Sequence, residues 1–128
     1  MTTVLIVDDE PNIVQLVRIT LEDDRVQVLE AADGMTALDR AAAFRPDLVL
    51  LDIDLPDVSG LEVCRRLKED AELAKMKIVM LTAAAQRDDI ARGLAAGADE
   101  YLTKPFSPVR LLSLVEQLMP HTIQWRPE

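Results

Sequence analysis

The chain has 128 residues, 49% hydrophobic and 29% charged, a balance that fits one domain with a buried core and leaves no room for two. A net charge of −9 repels polyphosphate backbones and anionic membranes, so no direct binding of nucleic acid or membrane by this chain is expected; a cation or a partner with a basic patch suits it better. The purest apolar run, Leu48 to Leu51, is too short to span a bilayer, and no basic start leads into a long apolar stretch, so a cytoplasmic location is expected. The one cysteine, Cys64, falls among apolar helix positions and reads as core packing.

In chain order, the tetrad Val4-Leu5-Ile6-Val7 reads as a strand covered on both faces. Pro11 then suits the first turn of a helix whose apolar side is Ile13, Leu16, Val17 and Leu21. Val26-Gln27-Val28-Leu29 carries a polar residue within it, as an edge strand can. A second helix follows through Ala37, Leu38, Ala41 and Ala42, and Leu48-Val49-Leu50-Leu51 is a second central strand. Ser59 and Glu62 have capping-box spacing ahead of a helix through Val63, Cys64 and Leu67. Ile78-Val79-Met80-Leu81 is the third central strand. Ile90, Ala91 and Leu94 mark the apolar side of a fourth helix, which Gly97 should stop. Glu100-Tyr101-Leu102 forms a short edge strand. Pro108 then opens a last helix through Leu111, Leu112, Val115, Leu118 and Met119, closed by Pro120. Residues 1–120 should form one domain and residues 121–128 a tail or the start of a linker. Within that tail Trp125 reads as part of a frayed end, and His121 is too isolated to be a metal ligand.

Strict β-α alternation predicts a doubly wound α/β fold, a parallel five-stranded sheet of order 2-1-3-4-5 between two helical layers. With right-handed crossovers, helices two to four cover one face, and helices one and five the other. Open α/β sheets take ligands at the carboxyl ends of the strands where the order reverses, here between strands one and three. Asp8, Asp9 and Asp52 stand at those ends. Three carboxylates in one crevice repel one another unless a cation neutralises them. Magnesium fits best, with manganese as a substitute, because a hard ion takes oxygen ligands and no His or Cys cluster suggests a softer one. Lys104 adds a positive charge from strand five, and Thr82 a hydroxyl from strand four. Singly, Asp9 could be a helix cap, Thr82 a satisfied hydroxyl and Lys104 a surface lysine. Jointly, independent accidents would have to place all of them at the ends of neighbouring strands.

Four segments closely resemble the receiver domain of two-component response regulators. They are Val4-Leu5-Ile6-Val7-Asp8-Asp9-Glu10-Pro11, Leu50-Leu51-Asp52-Ile53-Asp54-Leu55-Pro56 with Gly60, Leu81-Thr82-Ala83, and Gly97-Ala98-Asp99-Glu100-Tyr101-Leu102-Thr103-Lys104-Pro105-Phe106. The resemblance spans roughly residues 2 to 119 and implies a flavodoxin-like (βα)5 sandwich like that of chemotaxis regulators. It implies that Asp52 accepts a phosphoryl group from a histidine kinase or a phosphotransfer protein. Asp9, Asp52 and the Asp54 backbone carbonyl would hold magnesium directly, with Asp8 acting largely through a water. Thr82, the Ala83 amide and Lys104 would bind phosphoryl oxygens. Thr82 and Tyr101 would form the switch, reshaping the face of helix four, strand five and helix five for a downstream protein; taken alone, Tyr101 reads as edge-strand packing.

In receivers of the winged-helix transcription-factor subtype, basic residues of helix five pair with acids near strand five of a twin. Leu114 and Glu116 stand at the corresponding positions here, although Asp99 and Glu100 remain, so a monomer or weak dimer is expected. Asp54, with Ala84 opposite, would flank the route of a hydrolytic water. Asp52-Ile53-Asp54 also resembles the aspartate pair of haloacid-dehalogenase-type phosphatases, although that reading leaves Asp8-Asp9 unexplained. A flavodoxin-like flavin carrier would need a donor-rich loop where Asp8-Asp9-Glu10 stands. A receiver-like scaffold without phosphorylation is the third alternative.

Overall fold

Short β-branched and aliphatic runs alternate with amphipathic segments, and each run becomes a strand and each segment a helix. The computed structural model describes residues 1–83 and 87–120, without the side chains of Arg87 and Asp89; Ala84, His121 and Trp125 lie outside the described residues. The elements are β1 (Thr2–Val7), α1 (Pro11–Leu21), β2 (Val26–Ala31), α2 (Gly34–Phe44), β3 (Leu48–Asp52), α3 (Gly60–Glu69), β4 (Lys77–Ala83), α4 (Arg87–Ala95), β5 (Glu100–Lys104) and α5 (Pro108–Leu118). The strands pair in parallel in the order β2-β1-β3-β4-β5, as expected.

The period of two along each strand divides the apolar residues between two separate cores. Val4, Ile6, Leu48, Leu50, Val79 and Leu81 face α1 and α5, where Val17, Leu21, Leu111 and Val115 close over them. Leu5, Val7, Val49, Leu51, Ile78 and Met80 face the opposite layer, against Ala37 and Ala41 of α2 and Val63, Cys64 and Leu67 of α3. Burial pushes the Cys64 thiol up to about 11, and its Sγ lies 3.7 Å from the Ala96 carbonyl, so it is a packed, weakly donating group, as its position in the sequence suggested.

Local chemistry sets the helix ends. Pro11 and Pro108 occupy the first turns of α1 and α5. Ser59 accepts from the Glu62 amide at 3.2 Å, but the Glu62 carboxylate turns to Arg65 and Arg66, so the capping box is only half formed. Gly97 has φ +106, a conformation that favours glycine, just beyond α4. The apolar side assigned to α4 needs correction. Ile90 is partly buried, but Ala91 is exposed and Leu94 is 47% exposed, while among the described residues of that helix Gly93 is the buried one. A Cβ on Gly93 would lie 2.9 Å from the Met80 side chain, so α4 meets β4 through its smallest residue.

Gly60 has an equally specific cause. A Cβ there would stand 2.1 Å from the Asp52 carbonyl oxygen and 2.9 Å from the carbonyl carbon, so only hydrogen fits where α3 starts beneath the end of β3. Gly60→Ala is expected to cost about 2–3 kcal/mol of stability by overpacking a backbone that cannot yield. Urea unfolding should show a lower midpoint at unchanged slope; a wild-type midpoint would contradict this packing.

Candidate functional site

The parallel register delivers the polar residues to one edge. Val7 pairs with Leu51, Asp52 with Leu81 and Ala83 with Lys104, so the residues that end β1, β3, β4 and β5 stand side by side. The Lys104 ammonium is shared among three carboxylates: Nζ lies 2.7 Å from Asp8 Oδ2, 3.1 Å from Glu10 Oε1 and 3.2 Å from Asp52 Oδ2. The other oxygens of the two aspartates grip backbone. Asp8 Oδ1 accepts from the Glu10 amide at 2.9 Å and Asp52 Oδ1 from the Asp54 amide at 3.1 Å. Asp8 and Asp52 are both buried, which makes their charges costly unless paired.

Burial raises the Asp52 carboxyl to about 6, and the neighbouring Asp8 charge adds to the rise; Lys104 and the Asp54 amide pull in the opposite direction. For Lys104, burial opposes its charge, yet Asp8, Asp52 and Glu10 together hold its ammonium well above the ordinary lysine range. The lysine does not balance the site. Asp8, Glu10 and Asp52 bring three negative charges against one positive, leaving a surplus of two. One oxygen from each carboxylate lies within 4.8 Å of the others. Asp8 Oδ2 is buried and receives no well-directed hydrogen bond among the described residues, although it is ion-paired with Lys104. An all-oxygen donor set with a surplus of two charges and an under-used buried oxygen fits a hard divalent cation.

Of the residues singled out from sequence, Asp8, Asp52 and Lys104 come together, and Glu10 joins them. Asp9 does not. It is exposed and lines, with Asp8, the mouth of a cavity of about 620 Å³ that extends along α1 to Arg18 and past α2 to Arg40. Nor is Asp9 a helix cap: Glu10 holds that position, with no side-chain bond, and the gripping carboxylate is that of Asp8. Glu10 was legible only as the third acid of Asp8-Asp9-Glu10; residues two apart in extended chain point the same way, and the bend before Pro11 keeps that relation.

Thr82 is buried, with its hydroxyl 3.4 Å from the Ala83 carbonyl, a long contact that leaves it without a strong partner among the described residues. Ala83 is exposed at the rim, and Asp54 is exposed beyond Asp52. Tyr101 is half-buried against the core beneath α2 and α3. Two residues weighed for dimer contacts are engaged within the chain. Leu114 is buried in the core beneath α1 and α5, and Asp99 Oδ2 accepts from Lys68 Nζ at 3.0 Å and from the Ile78 amide at 2.8 Å.

A family model for the response regulator receiver domain matches residues 4–116. The chain belongs to that family. The chain is 43% identical over 122 residues to the DNA-binding dual master transcriptional regulator RpaA of Synechocystis, covering 95% of this chain and 51% of that protein. This receiver thus spans about half the length of the curated relatives it matches. A putative response regulator from Chloroflexus aurantiacus superposes with a TM-score of 0.88 at 32% identity, covering 94% of this chain and 98% of that one. The chemotaxis response regulator CheY4 of Vibrio cholerae does so with a TM-score of 0.86 at 34% identity, covering 93% and 99%. Membership sets aside the phosphatase and flavin-carrier readings, and it places the receiver among phosphorylation-dependent signalling switches, with the flavodoxin-like fold expected from sequence. Among the described residues no helix is long and apolar enough to cross a membrane.

The raised carboxyl of Asp52 makes a stability prediction. A folded-state value of about 6 against 3.8 means the contribution is full below 3.8 and is lost as pH rises through 6. Asp52→Asn removes that loss. In metal-free buffer near pH 8 the variant should be more stable than wild type by on the order of 2 kcal/mol, and the difference should vanish toward pH 4. Equal denaturation midpoints across that range would refute the electrostatic account.

Proposed function

We propose that this receiver accepts a phosphoryl group on Asp52 from a histidine kinase or a histidine phosphotransfer protein, and that the change alters partner binding. The observation that carries the reading is the contact of a buried acceptor carboxylate with Lys104 and two further acids at the point where strand order reverses. An Asp52 carboxylate oxygen attacks phosphorus, the bond from phosphorus to the donor imidazole nitrogen breaks, and that nitrogen retains the electron pair. Catalysis by the receiver extends to this transfer and to the later hydrolysis of its own acyl phosphate.

The residues divide the work by charge. Lys104 meets the phosphoryl oxygens once their negative charge joins that of Asp8, and the Thr82 hydroxyl and Ala83 amide donate to them. Asp9, Asp52 and the Asp54 carbonyl would hold a magnesium ion, for which manganese can substitute, and Asp8 would act on it largely through a water; Asp9 would turn in from the cavity it lines, while Glu10 keeps the Lys104 ammonium in place. When bound, the metal supplies positive charge that offsets repulsion between the incoming phosphoryl group and the acids. As Thr82 is drawn toward the phosphoryl group, Tyr101 fills the vacated space and the face of α4, β5 and α5 changes for a downstream protein target. The phosphoryl group acts only through its stronger interaction with one of the two states. The receiver works in the cytoplasm as a monomer or weak dimer, and neither nucleic acid nor membrane binds this chain directly.

Incubation with a small phosphodonor and magnesium, followed by intact-mass measurement, tests the central claim. Wild type should gain one phosphoryl group and Asp52→Asn none; a stable adduct on the variant, or none on wild type, overturns the proposal. The ligand set has its own test. Asp9→Ala should weaken magnesium binding by about tenfold or more, and Glu10→Ala much less. The reverse order, read by calorimetric titration, would move the metal site onto Asp8, Glu10 and Asp52.

A further inference from the structure

The start of α2 carries an arrangement that the phosphoryl chemistry leaves unused. A helix opens with amides that have no intrahelical acceptor, and here two carboxylates take three of them. Asp33, the N-cap, accepts from the Thr36 amide at 2.7 Å. The remaining two belong to Asp57, which lies in the connection between β3 and α3. Its Oδ1 accepts from the Gly34 amide at 2.7 Å and its Oδ2 from the Met35 amide at 2.9 Å. These are charge-assisted bonds aimed at the positive end of a helix, and the amides, Gly34 first, hold the Asp57 carboxyl below its usual range although the residue is exposed.

The connection gripped in this way carries the acceptor. It begins at Asp52, whose Oδ1 takes the Asp54 amide, and ends at Gly60, whose amide donates to the Ile53 carbonyl at 2.9 Å. Asp57 lies between these two fastenings. Val58 follows it with its carbonyl oxygen 2.9 Å from where a Gly34 Cβ would be, so the loop and the helix start are in backbone contact.

We propose that Asp57 is a positioning residue of the acceptor site, its two-point grip on α2 holding the loop from Asp52 to Gly60, and with it the Asp54 carbonyl, ready to receive the divalent cation. This inference rests on the metal reading given above. An untethered loop would have to be ordered each time the ion binds, and that cost would appear as lost affinity.

Asp33→Ala supplies the matched comparison, because it removes a cap from the same helix and one negative charge from the same neighbourhood while leaving the loop tethered. Magnesium affinity of the purified protein is measured calorimetrically for wild type, Asp57→Ala, Asp57→Asn and Asp33→Ala. The titrations are run in about 1 M salt, where the screening length falls to about 3 Å and distant charge is muted. Asp57→Ala should weaken binding by about tenfold, the effect typical of groups that orient metal ligands. Asp57→Asn, which keeps one acceptor oxygen, should fall between, and Asp33→Ala should match wild type. Wild-type affinity in Asp57→Ala, or an equal loss in Asp33→Ala, overturns the inference. Should Asp57→Ala fail to fold, Asp57→Asn against Asp33→Ala decides it in the same way. Failure of wild type itself to bind magnesium would overturn the metal reading instead. That result is distinguishable, because faster exchange of the Gly34 and Met35 amides in Asp57→Asn would still report loss of the grip.

Discussion

The mutual repulsion of carboxylates confined to one buried crevice is the constraint on which the site depends. Water would screen Asp8 and Asp52 almost completely, but burial removes that help and raises the cost of each charge. Lys104 is the answer the chain itself supplies, and its ammonium reaches all three acids because β5 ends level with β4, two residues beyond the level at which Asp52 ends β3. The sheet register is therefore an electrostatic requirement as much as a packing result. A one-residue slip would turn Lys104 to the other face and leave two buried charges without a counter-ion.

The same crowding explains why the loop beneath the site is built so tightly. Gly60 passes under the Asp52 carbonyl, the Asp54 amide returns to the Asp52 side chain, and Asp57 ties the loop to the next helix. Each contact removes freedom from the loop that carries Asp52 and Asp54. The surplus negative charge that remains is consequently held at one place rather than spread over mobile side chains.

Most of the architecture was legible because its signals are periodic. Continuous tetrads such as Leu48 to Leu51 can be satisfied only by cover on both faces, and strict alternation with helices leaves few topologies. What escaped was decided by contacts between elements. The apolar spacing of α4 pointed to Ile90, Ala91 and Leu94, but Ile90 alone of these is partly buried, and the approach of Gly93 to Met80 turned Ala91 and Leu94 outward. Acids in series gave no hint of their division of labour, because only the turn into α1 sends Asp8 and Glu10 to the lysine and leaves Asp9 at the cavity mouth. The role of Asp57 depends on a meeting of segments more than twenty residues apart, to which periodicity is blind.

The way α4 rests on the sheet has an energetic consequence. Apolar burial stabilises by about 25 cal/mol per Å², and a helix that meets its strand through a glycine while leaving a leucine about half exposed collects little of it. Among the described residues, α4 buries less apolar surface than α1 and α5 with their deeply buried valines and leucines, and local opening at lower free energy is the expected result. This loosely packed helix thus follows in the chain the strand that carries the buried Thr82.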